Sequence, residues 1–158
     1  MTRRRKVALV VVALGFAFLS VSFVRGLNRA RRSARQTMCV HNLKVIGLQL
    51  RMYAEAHDGA FPDTWSTLVA DPEFGASDIL DIFVCPNLSR GYKRTHGVPS
   101  GPEDIDELSS YVLVGGLPMT DDKDTIIAYE KGDNHGGIGH SVLYLDTRGG
   151  WDPPSNWR

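Results

Sequence analysis

Two cysteines, five histidines and a scatter of acids are the residues of this 158-residue chain with types suited to chemistry. Cys39 and Cys85 form one candidate pair. In a non-reducing compartment two such residues can close a disulfide. A closed loop of about 45 residues would contribute about 4 kcal/mol in the chain-entropy account. The other reading is two buried thiols that pack as small hydrophobes. Catalytic thiol chemistry is not expected, because the Cys-x-x-Cys spacing is absent.

His135, His140 and Asp146 form a second group, with Asp133 or Glu130 as neighbours. Histidine plus carboxylate suits zinc, whereas carboxylates plus backbone carbonyls suit calcium. Asp121-Asp122-Lys123-Asp124 is a further carboxylate cluster. No spacing here matches a known metal motif, so a polar turn with a solvated histidine is the plain alternative. No resident cofactor is expected, with calcium and zinc the candidates if these residues hold a metal. His135-Gly136-Gly137-Ile138-Gly139 is glycine-rich but lacks the Lys-Ser/Thr and following helix of a phosphate loop. A turn between strands accounts for it. No Gly-x-Ser-x-Gly motif accompanies the histidines, and no enzymatic activity is expected.

The elements that must position these residues begin with a charge asymmetry. The chain has 18 basic and 18 acidic residues. Residues 1–36 hold nine of the bases and no acid, leaving residues 37–158 with a net charge of −9. A basic stem therefore precedes an acidic body, which excludes a uniformly basic nucleic-acid-binding domain. No nucleic-acid partner is expected.

Val7 to Val24 is an uncharged apolar run. At the helical rise it spans about 27 Å, enough for the hydrocarbon core of a bilayer. It reads as a transmembrane helix. Arg3, Arg4, Arg5 and Lys6 precede it, and Arg25, Arg29, Arg31, Arg32 and Arg35 follow it. The second cluster suits anionic headgroups at a membrane interface. Ser20-Val21-Ser22 offers a rival reading as a signal-peptide cleavage site, although no helix break precedes it.

No proline occurs before Pro62, and residues 27–57 are mostly good helix formers. Leu43, Ile46, Leu50 and Tyr53 recur at three- and four-residue spacings, marking one apolar face. Gly47 beside that face permits close approach of another element. Asp58-Gly59 and Pro62 end the helix. A continuous helix over about residues 5–57 would be roughly 80 Å long. Asp63 or Thr64 can cap a short helix over 65–70 that Asp71-Pro72 ends. Residues 79–84 read as a short strand, and 87–107 mainly as a loop. Residues 110–114, 125–130 and 141–146 read as strands, with a last one starting at Gly149. With no helix between them, they suit an antiparallel meander.

The segment Cys39-Val40-His41-Asn42-Leu43-Lys44-Val45-Ile46-Gly47-Leu48-Gln49-Leu50, then Tyr53, then Asp58-Gly59-Ala60-Phe61-Pro62, resembles bacterial prepilin-like proteins and type II secretion pseudopilins. Phe83-Val84-Cys85-Pro86 resembles their second cysteine motif. Ser109-Ser110-Tyr111-Val112 and Ala128-Tyr129-Glu130 resemble their following strands. Asn134-His135-Gly136-Gly137 through Asp146 resembles their His-Gly-Gly ending. The resemblance runs from about Arg29 to Trp151. It lacks two features. Gly15-Phe16 lies inside the apolar run, Ser20 stands where those proteins carry a glutamate, and the prepilin peptidase signature is thus missing. Thr147-Arg148 replaces Gly-His after Asp146.

The resemblance implies an α+β, pilin-like fold: a long N-terminal helix, membrane-spanning in its first third, packed on a small antiparallel sheet. The expected parts are a basic N-terminus (1–6), a transmembrane helix (7–24), a basic then amphipathic continuation (25–58), a small α+β body (59–152) and a tail (153–158). The resemblance and the cysteines together place the N-terminus in the cytoplasm and the body outside it, on a single-pass cell-membrane protein. The expected function is that of a membrane-anchored structural protein of a type II secretion or type IV pilus-like assembly. Its partners would be the membrane and other copies or subunits, met through the N-terminal helix. The alternative is a membrane-tethered module outside the cytoplasm that binds a metal or envelope polymer, which the acidic body and the 87–107 loop motivate.

Overall fold

The computed structural model describes residues 3–73, 77–88, 97–132, 134–135 and 138–152, with the side chains at 3–11, 13 and 77–79 outside that set. The chain forms two compact units, residues 1–34 and 35–158. Helix α1, Arg3–Ala56, begins in the first and continues in the second.

In the first unit every described side chain is exposed. These include large apolar ones, among them Phe16 at 69%, Phe18 at 73% and Phe23 at 67% exposure. Ser20 donates its hydroxyl to the Phe16 carbonyl at 2.8 Å, a bond that keeps a polar residue compatible with the helix. Among the described residues no helix is long and apolar enough to cross a membrane. The expected span Val7–Val24 is therefore not supported there, and its side chains at 7–11 and 13 lie outside the described residues.

In the second unit α1 changes character. Cys39, Leu43, Ile46, Leu50 and Ala54 are all 0% exposed, at spacings of three and four. This is one helical face turned into a core. Gly47 lies on the same side, and a Cβ there would sit 2.9 Å from Leu143 Cδ1. The missing side chain lets the sheet approach, as the sequence suggested. The helix ends as expected. Gly59 N–H donates to the Ala54 carbonyl at 2.8 Å. Asp58 and Gly59 have φ of 53° and 82°, the left-handed stop that glycine and aspartate tolerate.

Helix α2, Trp65–Ala70, is capped by Thr64, whose side chain accepts from Thr67 N–H. The Asp106 carboxylate also accepts from Trp65 N–H at 2.8 Å and Ser66 N–H at 3.3 Å. An anion at a helix start satisfies orphan donors. The apolar stretch read as a strand at 79–84 is instead a 3-10 helix, Ser77–Phe83. Its Ile82 and Phe83 pack on the core. A short apolar run does not specify its own period, and tertiary packing decided it. The expected 87–107 loop contains a further short helix, α3, Ile105–Leu108. Its residues 89–96 lie outside the described residues.

The sheet has the order β1-β2-β3-β4, with every pair antiparallel. Its strands are β1 Tyr111–Leu113, β2 Ile126–Glu130, β3 His140–Tyr144 and β4 Gly149–Asp152. Tyr111 pairs with Glu130, and Val142 with both Tyr129 and Gly150. The β2–β3 register shifts between Ile126 and Ala128. One core joins the α1 face to Trp65, Phe83, Ile105, Tyr111, Ile127 and Leu143. The fold is thus α+β, a long N-terminal helix with a four-stranded antiparallel meander. Trp65 is core, Trp151 is a half-buried edge residue, and Trp157 lies outside the described residues.

Candidate metal centre

Four side chains with metal-ligating atoms converge inside the second unit. Cys39 comes from α1, Cys85 from the turn after the 3-10 helix, Glu130 from the end of β2, and His135 from the loop before β3. All four are buried, with one donor atom from each lying within 4.8 Å of the others. Cys39 Sγ and Cys85 Sγ are 2.8 Å apart. His135 Nε2 lies 3.4 Å from Cys39 Sγ, 3.6 Å from Cys85 Sγ and 3.1 Å from Glu130 Oε1. Glu130 Oε1 lies 3.6 Å from Cys39 Sγ.

Local structure explains each position. Cys39 opens the buried face of α1, four residues before Leu43. Cys85 is held by its own N–H, which donates to Ser110 Oγ at 2.8 Å. Glu130 stands directly across from Tyr111 on the neighbouring strand and shares its face of the sheet. Its other oxygen, Oε2, accepts from Ser141 N–H at 3.3 Å. The His135 ring meets Trp151 edge to face at 5.2 Å, which fixes its plane. Asn87 N–H points at Cys85 Sγ from 3.4 Å. Beside the cluster, Tyr111 Oη has no hydrogen-bond partner among the described residues.

The electrostatics follow from burial. The hydrogen bond with Cys39, then burial and the Glu130 charge, push the Cys85 thiol far up. Burial first, and then Cys39, Cys85 and Glu130, push the Tyr111 phenol up as well. Burial holds His135 below the usual imidazole range, while Glu130 pulls the other way. A cation among these groups would reverse that logic, since it favours thiolate and carboxylate over their protonated forms.

The two sequence groupings are therefore rearranged. Cys39 and Cys85 do meet, as the disulfide reading expected, but as free thiols within a four-residue cluster. Of His135, His140 and Asp146, only His135 enters it. His140 starts β3 opposite Asp152 and is half-buried there, outside the cluster. Asp146 is exposed in the β3–β4 turn, where its carboxylate accepts from Arg148 N–H at 3.0 Å. Asp133 lies outside the described residues. Asp121, Asp122 and Asp124 are exposed, and Asp122 closes a local turn on Asp124 N–H. Glu130 was legible only as a neighbour. The sharper signal was its parity, a lone acid in step with buried Ala128 on an apolar strand.

The arginines expected at a membrane interface are all exposed. Arg25, Arg29 and Arg32 line a surface depression of about 300 Å³ with Asn28. Arg35 belongs to the second unit and donates to Asn87 Oδ1 at 3.2 Å.

Comparison with protein-family models, curated proteins and solved structures returns no match to this chain.

Proposed function

We propose that the chain is a pilin-like, membrane-anchored structural protein that holds a small α+β body outside the cytoplasm. The observation that carries this reading is the apolar side-chain surface of the first unit. Phe16, Phe18, Leu19, Val21, Phe23 and Val24 stand 50–73% exposed on an uninterrupted helix. Aromatic and aliphatic surface of that extent is costly in water and stable in lipid. The arginines that follow, from Arg25 to Arg32, suit anionic headgroups. The same helix then changes from all-round exposure to one buried face, which fits a stem that enters a folded body.

The motif resemblance supports an association with type II secretion or pilus-like assemblies, reached through helix–helix packing of the first unit. The lack of a peptidase signature around Gly15-Phe16 favours an uncleaved anchor over a processed filament subunit.

Fractionation tests the reading. The full chain is expected in the membrane pellet after alkaline carbonate extraction and in the supernatant only after detergent. Recovery in the aqueous fraction without detergent overturns it. A protease added to intact cells should reach the body but not the N-terminus, and the reverse result would invert the orientation. Cross-linking in the membrane should report self- or hetero-association that is lost when Phe16, Phe18 and Phe23 are replaced by alanine.

A further inference from the structure

We infer that Cys39, Cys85, Glu130 and His135 are the four ligands of a structural zinc site that clamps helix α1 to the sheet. The inference stands on residues 35–158 and does not depend on how the chain is attached to a membrane.

Geometry carries it first. Zinc–sulfur bonds near 2.3 Å and zinc–nitrogen or zinc–oxygen bonds near 2.0–2.1 Å give tetrahedral edges of about 3.8 Å for S–S, about 3.6 Å for S–N or S–O and about 3.3 Å for N–O. Here the S–N edges are 3.4 and 3.6 Å, the Cys39–Glu130 S–O edge is 3.6 Å and the N–O edge is 3.1 Å, while the second S–O edge, Cys85–Glu130, lies within 4.8 Å. Of the five measured edges, the S–S edge at 2.8 Å departs most clearly, and it must open by about 1 Å. Side-chain rotation at either cysteine can supply that change.

Chemistry carries it second. Two thiolates, an imidazole and a carboxylate are a soft-to-borderline donor set, which selects zinc over calcium or magnesium. The carboxylate and both sulfurs lie out of water. Without a cation, Glu130 is a buried acid beside two further acidic groups, an arrangement that costs stability unless paired. A divalent ion offsets two of the three negative charges that the thiolates and the carboxylate carry when they bind it.

Part of an outer shell surrounds the cluster, although His135 Nδ1 has no hydrogen-bond partner among the described residues. Asn87 N–H faces the Cys85 sulfur, Ser141 N–H faces Glu130 Oε2 and Trp151 fixes the His135 ring. All four positions of the tetrahedron are filled by protein, so the site is closed. It has no open position for water or substrate, and its role is to hold the fold. The four ligands come from four separate segments between residues 39 and 135, so one ion would tie most of the body together.

The test is a metal analysis of the full chain, purified in detergent without chelator and with lysis under argon. Stoichiometric zinc is the expected result. Replacement by cobalt should give the visible bands of a tetrahedral site and a sulfur-to-cobalt charge-transfer band, the latter weakened in Cys85→Ser. Glu130→Gln keeps the side-chain shape and should lose stoichiometric zinc while the body still folds. Should a variant fail to fold, the unmodified protein still decides the matter. Chelation should expose two thiols to alkylation and lower the unfolding temperature, and added zinc should reverse both. A metal-free protein lighter by two hydrogens than its reduced form would show a Cys39–Cys85 disulfide and overturn the inference. Metal-free protein with free thiols and no response to added zinc would overturn it equally.

Discussion

The Glu130 carboxylate and the His135 ring meet at 3.1 Å with their side chains 1% and 0% exposed. Such a pair is held by mutual compensation. Removing one partner leaves the other buried and under-satisfied, which typically costs about 3–5 kcal/mol, whereas replacing both with apolar groups can be nearly neutral. In reduced, chelated protein, His135→Leu alone should therefore destabilise by about 3 kcal/mol. The double variant Glu130→Met with His135→Leu should be more stable than that single variant. Urea unfolding at equal protein concentration checks the order. Additive losses would mean that the two side chains are not coupled.

Gly115 and Gly47 are both places where the backbone of one element approaches another, but they differ in what an added methyl meets. A Cβ on Gly115 would collide with the Asp63 carbonyl oxygen, against backbone that cannot rotate aside. A Cβ on Gly47 would lie 2.9 Å from the tip of the Leu143 side chain, which can. Alanine at 47 also gains about 0.5–1 kcal/mol of helix preference. Gly115→Ala should cost about 1–3 kcal/mol or more, and Gly47→Ala much less. The two unfolding temperatures compared directly would show it.

Asp104 accepts from Ser100 Oγ at 2.7 Å, Ser100 N–H at 3.0 Å and Gly101 N–H at 3.2 Å. The Ser100 hydroxyl first, and then the backbone donors, hold its carboxyl below the usual 3.8. A depressed carboxylate contributes stability that is complete above its unfolded pKa and is lost as pH falls through its folded one. The difference in urea midpoint between the protein and Asp104→Ala should thus be constant near neutral pH and shrink below about pH 4. A difference that persists unchanged into acid would assign the loss to packing instead.

Much of this architecture was legible in the residues. The apolar spacing of Leu43, Ile46 and Leu50, the Asp58-Gly59 stop and the strand runs lettered by β-branched residues each act locally, so local reading recovered α1, its end and the meander. The 3-10 helix at 77–83 was not recovered, because a short apolar run fits either period and only its packing against Trp65 decides. The candidate site was half legible for a related reason. Cys39 with Cys85 follows from their being the only two cysteines. Bringing Glu130 and His135 to them needs the register that sets Glu130 opposite Tyr111, which is a long-range property. His140 and Asp146 looked equivalent to His135 in sequence, yet the β3–β4 hairpin sets His140 opposite Asp152 and Asp146 in the turn.

Leu48 and Leu50 sit two residues apart on α1 and face opposite ways. Leu50 is 0% exposed within the core, whereas Leu48 is 56% exposed. A helical step of two residues turns the side chain through about 200°, so this contrast is a direct consequence of one-sided packing. Leu50→Ala removes buried methyl groups and leaves a cavity, with a typical loss of about 2–5 kcal/mol. Leu48→Ala removes only exposed surface and should change stability by less than about 0.5 kcal/mol. Chemical denaturation of the two variants in detergent tests the orientation of α1 against the sheet. Comparable losses at both positions would mean that Leu48 is covered in the functional assembly, and would make that face of α1 the place to seek a partner subunit.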